Sequence, residues 1–186
     1  MAAMDFTNQF LIAMPSLEDP NFSRTVTYIC AHSDEGAMGI VVNRPLELEL
    51  SNLFDQLQLE TSTQARSSEP VVMGGPVETQ RGFVLFEPEG NDNWDGLAIK
   101  GEDIALATSR DIVAAMARGE GPKRHLVALG YAGWGAGQLE HEVLENAWLN
   151  GPAKTEIIFE CAFDERWQRA AELLGVRVAS LGAHAQ

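Results

Sequence analysis

The sequence predicts an α+β fold: one compact domain in which a mixed, largely antiparallel β-sheet packs against about four helices. Short β-branched segments come in pairs around turn residues, a pattern typical of antiparallel hairpins. Helix-like segments separate other strands, which favours a mixed sheet. A chain of 186 residues suffices for one sizeable core but is short for two. The single domain is therefore predicted to span residues 1–186.

The first half of the chain predicts strands, turns and one helix. Apolar or β-branched runs bounded by turn residues predict strands at residues 10–14, 24–30, 38–42, 71–73 and 83–86. The turn at 34–36 should join two of them into a hairpin. Leucines at helical spacing predict a helix at 50–59. The polar segment 60–69 predicts a mobile loop. Gly74-Gly75-Pro76 predicts a turn, and 87–96 a polar connection.

The second half predicts an alternation of strands and helices. Short apolar runs predict strands at residues 98–100, 104–107, 125–129, 156–159 and 176–179, the third of them central. Helical spacing of apolar residues predicts helices at 109–118 and 138–147, and a last helix capped by Asp164 and closed by Gly175. Ser109 is the expected N-cap of the first of these helices.

The charge balance argues against direct binding of nucleic acid. The chain has 27 acidic and 13 basic residues, which gives a formal net charge of −14. Proteins bind duplex DNA chiefly by neutralising its phosphates with Lys and Arg. The only adjacent basic pair is Lys123-Arg124, so we expect no direct contact with nucleic acid.

Cysteine usage and the N-terminal residues predict a cytoplasmic protein. Two cysteines, Cys30 and Cys161, do not make a disulfide framework. The first residues lack the basic segment of a secretion signal. The apolar run at residues 10–14 is far shorter than the ~20 residues that span a bilayer, so no membrane association is expected.

The segment at residues 130–149 is the most informative part of the sequence. Four glycines surround Tyr131 and Trp134, and a helix-like pattern follows them. Such dense glycine implies positive φ angles or close backbone approach. The segment therefore predicts either a binding surface or a tightly packed strand, loop and helix. A phosphate site is disfavoured, because no P-loop or dinucleotide motif is present and Glu140 lies in the first turn of the helix.

Cys30 and His32 are the candidate catalytic pair. Residues i and i+2 share one face of a regular strand, so a thiol and an imidazole here could form a nucleophile and its base. Asp34 and Glu35 lie nearby and should oppose thiol activation. Cys30 also continues an apolar strand face, which favours core packing.

Two arginines beside turn residues form a third group of candidates. Asn43-Arg44 and Arg81 lie at the ends of predicted strands. In so acidic a chain, a salt bridge to a carboxylate that holds the turn is favoured over a clamp for a bound carboxylate or phosphate. The four histidines are scattered and no zinc motif is present, so neither a metal nor another cofactor is expected.

Several sequence blocks in order resemble the AlgH/YqgE family of bacterial proteins. These blocks, within residues 10–149, are FLIAMP, DPNF, GAMGIVVNRP, GGPV, RGFVL, LGYAGW, GQLE and NAWL. The resemblance implies a single α+β domain with a mixed sheet. The family is labelled as candidate transcriptional regulators, without an established biochemical function. One departure is visible: where the family commonly has histidine, this chain has Phe86.

Two functional hypotheses follow. The leading one is a non-catalytic binding or regulatory module that acts through an unidentified protein or small-molecule partner. The alternative is a hydrolase or thiol oxidoreductase that depends on Cys30. The predicted binding residues are Asn43, Arg44, Gly74, Gly75, Arg81, Tyr131, Gly133, Trp134, Gln138, Glu140 and Trp148.

Overall fold

A single sheet with helices on both faces makes up the fold. The computed structural model describes residues 5–63, 65, 67–90, 94–99, 103–108 and 110–175. Their ten strands are β1 (Gln9–Ala13), β2 (Val26–Ser33), β3 (Gly36–Val41), β4 (Pro45–Glu49), β5 (Pro70–Met73), β6 (Val77–Phe86), β7 (Leu97–Ile99), β8 (Ala105–Ala107), β9 (His125–Gly135) and β10 (Trp148–Pro152). Their five α-helices are α1 (Leu50–Gln56), α2 (Arg110–Ala117), α3 (Gln138–Leu144), α4 (Thr155–Phe159) and α5 (Arg166–Leu173).

The strand order confirms the predicted α+β class. The main path of the sheet is β10-β1-β2-β3-β9-β6-β8-β7, and every neighbouring pair along it is antiparallel. Off this path, β4 pairs with β5, and β5 runs parallel to β9. The sheet is thus mixed and largely antiparallel, in one compact domain, with five α-helices where about four were predicted.

Strand β9 exchanges one of its neighbours halfway along its length. On one side it pairs with β6 from His125 to Tyr131. On the other side Ala128 and Leu129 pair with β5, and the segment from Ala132 to Gly135 pairs with β3. Gly130 lies between the two partners with a φ of +80°, a conformation that side chains disfavour.

The exchange depends on direct contact between two backbones. A Cβ atom on Gly74 would overlap the carbonyl oxygen of Gly130, and one on Gly130 would overlap that of Gly75. The Gly74 N–H donates to Leu129 O at 2.8 Å, and its carbonyl accepts from Val41 N–H at 2.8 Å. Gly74 and Gly75, predicted as binding residues, are therefore structural: they let β5 cross β9.

Three hydrophobic clusters cover the two faces of the sheet. The α4–α5 cluster fills one face and includes Phe10, Ile12, Tyr28, Phe83, Leu85, Ile158 and Ala170. The opposite face carries an α1–α2 cluster, with Phe54, Val84, Phe86 and Ile112, and an α3 cluster, with Leu11, Ile29, Trp134, Leu139 and Trp148. Alternate residues of β1, β2 and β6 thus supply opposite faces, as strand geometry requires.

Several predicted elements need correction. Residues 156–159, predicted as a strand, belong to helix α4, because a short apolar run does not distinguish a buried helix from a strand. β4 and β10 were missed. β10 contains Asn, Gly and Pro, yet it pairs with β1 over its whole length, from Trp148 opposite Ala13 to Pro152 opposite Gln9. Its strand conformation therefore comes from tertiary pairing and not from local preference.

Strand β9 is six residues longer than predicted. The predicted central strand at 125–129 continues to Gly135, so the glycine-rich segment is a strand and not a loop. The predicted strand at 83–86 likewise extends back to Val77. The last helix begins at Arg166 after a 3₁₀ turn, without a side-chain cap from Asp164. Ser109 and the strand predicted at 176–179 lie outside the described residues.

The remaining predicted elements hold with shifted ends. The hairpin of β2 and β3 is confirmed, with its turn before Gly36. Described residues of the segment 60–69, which was predicted to be a mobile loop, form backbone hydrogen bonds with two helices. Leu50 N–H donates to Glu69 O, and Ser62 N–H donates to Ala117 O. None of the helices in the described part of the chain is both long enough and apolar enough to cross a membrane.

The backbone crossing predicts a large difference between two glycine substitutions. Gly130→Ala adds a Cβ at a φ of +80° and against a carbonyl oxygen, and should lower the free energy of unfolding by about 2–4 kcal/mol. Gly82→Ala in β6 is the control, since a Cβ there meets nothing within 4 Å. Urea unfolding measures both. Equal midpoints for the two variants would contradict the role of the crossing.

Candidate functional site

One carboxylate holds together the end of β9, the start of β10 and helix α3. Glu142 Oε1 accepts hydrogen bonds from Trp134 Nε1 and from Trp148 Nε1, each at 3.0 Å. Gln138 Nε2 donates to Glu142 Oε2 at 3.0 Å, and Gln138 Oε1 accepts from Gly135 N–H at 3.0 Å. Charged acceptors make the stronger class of hydrogen bond. This arrangement therefore docks α3 on the sheet.

The two tryptophans are core residues. Trp134 is 6% exposed and Trp148 is 4% exposed. Their rings meet edge to face with centroids 6.2 Å apart, and Phe22 packs edge-on against Trp148 at 5.5 Å. Of the two interpretations of this segment, a binding surface or tight packing, the burial of both tryptophans supports packing for their side chains. Trp134 and Trp148 pack in the α3 cluster, whereas Gln138 is exposed and forms hydrogen bonds with Gly135 and Glu142.

A β-bulge separates the two residues of the predicted catalytic pair. The register between β2 and β3 shifts between Ile29 and Ala31, which leaves Cys30 as the extra residue. A bulge changes which face the following side chains occupy. Cys30 therefore packs in the α4–α5 cluster, whereas His32 stacks on Phe6 of the α3 cluster. The shared strand face predicted from the i, i+2 spacing is wrong.

The surroundings of Cys30 and His32 are those of packed residues. Burial raises the pKa of the Cys30 thiol to about 12. The His32 side chain is 1% exposed. Its Nδ1 accepts from Phe6 N–H at 2.9 Å, and its Nε2 donates to Glu140 Oε1 at 2.9 Å. A neutral imidazole satisfies both bonds. Glu140, predicted as a binding residue, thus anchors α3 to β2, and this hydrogen bond lowers the pKa of Glu140.

Arg44 holds a loop, but through carbonyl groups instead of a carboxylate. Its guanidinium donates to three backbone carbonyls at 2.7–2.8 Å, those of Pro20, Asn21 and Ser23. Among the described residues no carboxylate forms the predicted salt bridge with Arg44, although the predicted structural role agrees with the geometry. Burial lowers the pKa of Arg44, and Asp19 opposes that effect.

Asn43 supports the same loop from the other side. Its Oδ1 accepts from Val26 N–H at 2.9 Å, and its Nδ2 donates to Arg24 O at 2.9 Å. Arg24 has a φ of +56°, an uncommon conformation for a residue with a side chain. Both members of the Asn43-Arg44 pair thus fix the approach of the chain to β2.

Four predicted binding residues do converge on one concave surface. Arg81, Tyr131 and Gly133 line an open groove of about 600 Å³ on the face of the sheet that carries the α4–α5 cluster. We call it the Tyr131 groove. Its other lining side chains include Met38, Phe83, Ile99, Leu106 and Thr108. Arg44 lies outside this lining, and Trp134 contributes to it although its indole belongs to the α3 cluster.

The groove combines apolar walls with one cation at its rim. The Arg81 guanidinium lies 5.2 Å from the centroid of Phe83, and Phe83 meets Tyr131 edge to face at 5.8 Å. Arg81 also pairs with Glu78 at 3.4 Å, but each side chain is 53% exposed. An exposed pair of this kind contributes about 0–1 kcal/mol. Arg81 can therefore exchange Glu78 for an anionic group in the groove.

Position 86 lies away from the groove. Phe86 is fully buried in the α1–α2 cluster, on the opposite face of β6 from Phe83. The family histidine that this position lacks would therefore not face the groove. Within the described residues, no three His, Cys, Asp or Glu side chains lie together in a way that could hold a metal ion.

Reasoning from the sequence missed the residues that complete these sites. Met38, Phe83 and Ile99 come from three different strands, and only the pairing of the sheet brings them together. Alternation of Phe83 with Leu85 was a signal for an inward face. For Glu142 the signal was weaker: it stands four residues after Gln138, a spacing that places both on one helix face.

Comparisons with known proteins agree on one family. The sequence model of a family described as AlgH-like matches residues 10–179. A UPF0301 protein of Thioalkalivibrio sulfidiphilus is 53% identical over 99% of this chain and 97% of its own length. A UPF0301 protein of Nitrosospira multiformis is 50% identical over 97% of this chain and 96% of its own.

Two solved structures share the fold. The solution structure of the AlgH protein from Pseudomonas aeruginosa superposes with a TM-score of 0.79 and 42% identity, over 98% of this chain and 96% of that one. The crystal structure of a Corynebacterium diphtheriae protein superposes with a TM-score of 0.75 over 97% of this chain and 93% of that one. At 18% identity, the latter shows the fold alone.

The burial of Cys30 predicts a slow thiol. With a pKa near 12, about one molecule in 10⁵ carries the thiolate at pH 7. Alkylation of the native protein should therefore modify the partly buried Cys161 first, with Cys30 reacting only after unfolding in urea. Peptide mass spectrometry after timed exposure to iodoacetamide measures both sites. Rapid modification of native Cys30 near pH 6 would contradict this environment.

The hydrogen bonds to the Glu142 carboxylate predict a second effect on stability. Glu142→Leu leaves two buried indole N–H groups without their acceptor, and should lower the free energy of unfolding by about 2–4 kcal/mol. Glu145→Leu at the C-terminal cap of this helix is the control, since that carboxylate is 67% exposed. Urea unfolding gives the energies, and the indole N–H resonances report the lost bonds. A Glu142→Leu protein as stable as the control would argue against the docking role.

Proposed function

The chain belongs to the AlgH-like family, and from that premise we propose that it is a non-catalytic binding module that takes up a small molecule in the Tyr131 groove. One observation carries the proposal: Arg81, Tyr131 and Gly133 meet around about 600 Å³ of space. Small-molecule sites are concave and mostly apolar, with few polar groups and volumes of roughly 300–1,000 Å³. The groove has each of these properties.

The chemistry of the lining favours an apolar ligand with an acidic end. Met38, Phe83 and Ile99 offer apolar surface, and Tyr131 offers a ring face. The Arg81 guanidinium at the rim suits a carboxylate, which it can bind with two parallel hydrogen bonds. Its bond to Glu78 is exposed and weak, so a ligand carboxylate can replace it at little cost.

The geometry around Cys30 supports a non-catalytic role over the thiol-dependent alternative. The thiol is 3% exposed and its pKa is raised to about 12 by burial. His32, its proposed base, packs on the other face of the sheet against Phe6. A nucleophile and its base need hydrogen-bond contact, and this pair is not arranged for it.

The proposal extends to the mode of regulation and to the compartment. We infer that the protein regulates by binding a partner protein in a ligand-dependent way, and not by binding DNA directly. A net charge of −14 repels the phosphates of DNA. Placement in the cytoplasm is part of the same proposal. It is supported by the two cysteines, Cys30 and Cys161, which are both free thiols.

Paired probes of equal chain length test the groove. Decanoate should bind saturably, and about threefold more tightly than decanol, because the neutral alcohol lacks the exposed ion pair with Arg81. Arg81→Gln should abolish that preference while leaving decanol binding unchanged. Arg118→Gln is the matched control, since Arg118 is similarly exposed but pairs with Glu120. Isothermal titration calorimetry measures each affinity.

A substitution that fills the groove provides the second arm of the test. Gly133 lines the groove, and a Cβ there makes only an ordinary contact of 3.4 Å with the Tyr131 ring. Gly133→Leu should therefore fold and block both probes. Gly82→Leu, outside the lining and with open space around its Cβ, should bind as the parent does. Unchanged binding in Gly133→Leu would place the ligand elsewhere and reject the proposal.

A further inference from the structure

Arg166 is a buried cation away from the Tyr131 groove. It is the first residue of α5 and is 4% exposed. Its Nε donates to Cys161 O at 2.8 Å, and its Nη1 donates to Val42 O at 2.6 Å. The guanidinium also lies over the ring of Phe163, 4.0 Å from its centroid. These contacts fix the group between α5 and the sheet.

The contacts leave the charge of Arg166 uncompensated. A guanidinium has five N–H donors, and among the described residues only two carbonyl oxygens accept from it. No carboxylate in the described part of the chain forms an ion pair with it. Removing a cation from water without a counter-ion is costly, and that burial lowers the pKa of Arg166 to about 10.

Arg166 borders a cavity of about 210 Å³ between α4, α5 and the sheet. Leu126, Val127 and Ile158 supply apolar wall, and Cys161 lies beside the guanidinium. Two acidic residues, Glu69 and Glu160, also border the cavity, and each is paired with a basic side chain.

The two acidic residues do not neutralise Arg166. His125 Nε2 lies 2.9 Å from a carboxylate oxygen of Glu69, and Arg124 lies 2.5 Å from one of Glu160. Among the described residues that line the cavity, the Arg166 guanidinium is therefore the charged group that has no oppositely charged side chain paired with it. A small anion in the cavity would supply both the missing charge and acceptors for the remaining N–H groups.

We propose that this cavity binds a small planar carboxylate, of the size of formate or acetate, through the guanidinium of Arg166. Guanidinium and carboxylate match in shape and form two parallel hydrogen bonds. A cavity of about 210 Å³ has ample room for such an anion, and its apolar wall suits a short hydrocarbon group. This site rests on observations independent of the Tyr131 groove.

Formate, acetate and chloride distinguish specific binding from salt screening. Any salt stabilises a chain of net charge −14 by screening its repulsion, so chloride at equal ionic strength is the reference. Sodium formate or acetate should raise the Tm of the native protein by a few degrees above sodium chloride, with saturation. Equal Tm values in the three salts would overturn the proposal and leave water as the occupant.

Side-chain NMR of the unmodified protein tests for anion binding at Arg166 without relying on variants that could be unstable. The Arg166 Nε–H resonance, assigned through bonds, should shift saturably with acetate and not with chloride. Arg166→Lys keeps the charge but loses the planar fork, and should lose the acetate-specific rise in Tm. Arg169→Lys on the same helix, with an exposed arginine, should retain it. An Arg166 resonance that responds equally to both anions, or to neither, contradicts the site.

Discussion

Contact between bare backbones at Gly74-Gly75 and Gly130 is the constraint on which this fold depends. No side chain separates the two segments, so β5 can run beside the first half of β9 and leave room for β3 beside the second half. The strand thereby joins the hairpin of β2 and β3 to the remainder of the sheet. All three hydrophobic clusters contain residues from this strand, so each of them depends on the exchange.

Beyond Gly130, alternation along β9 places successive side chains on opposite faces of the sheet. Ala132 and Trp134 point to the α3 cluster, where Glu142 holds the indole. Tyr131 and Gly133 point to the groove on the other face. A segment that combines glycines and aromatics therefore contributes to packing on one face and to the lining of the groove on the other. The sequence pattern alone could not assign its residues to the two faces.

Local patterns predicted the fold class, the β2–β3 hairpin and most elements, because hydrophobic periodicity is read within a few residues. They failed where contacts between segments distant in the sequence determine the structure. β10 exists through its pairing with β1, and the Tyr131 groove exists because Met38, Phe83 and Ile99 are brought together by sheet register. The bulge at Cys30 reversed a face assignment that assumed an unbroken period of two. Arg166 gave no signal, because burial of a charged residue is set by tertiary packing.

The bulge in β2 decides which face of the sheet the side chains after Cys30 occupy. Because Cys30 is an extra residue in the ladder, the side chains from Ala31 to the hairpin turn lie on the faces opposite to those that unbroken alternation would give them. Replacing the thiol with another small apolar group leaves these faces unchanged. Unbroken alternation through Cys30 would instead place the His32 ring on the face of the α4–α5 cluster, away from Glu140. The attachment of α3 through Glu140 thus depends on a local irregularity in the pairing of β2 with β3.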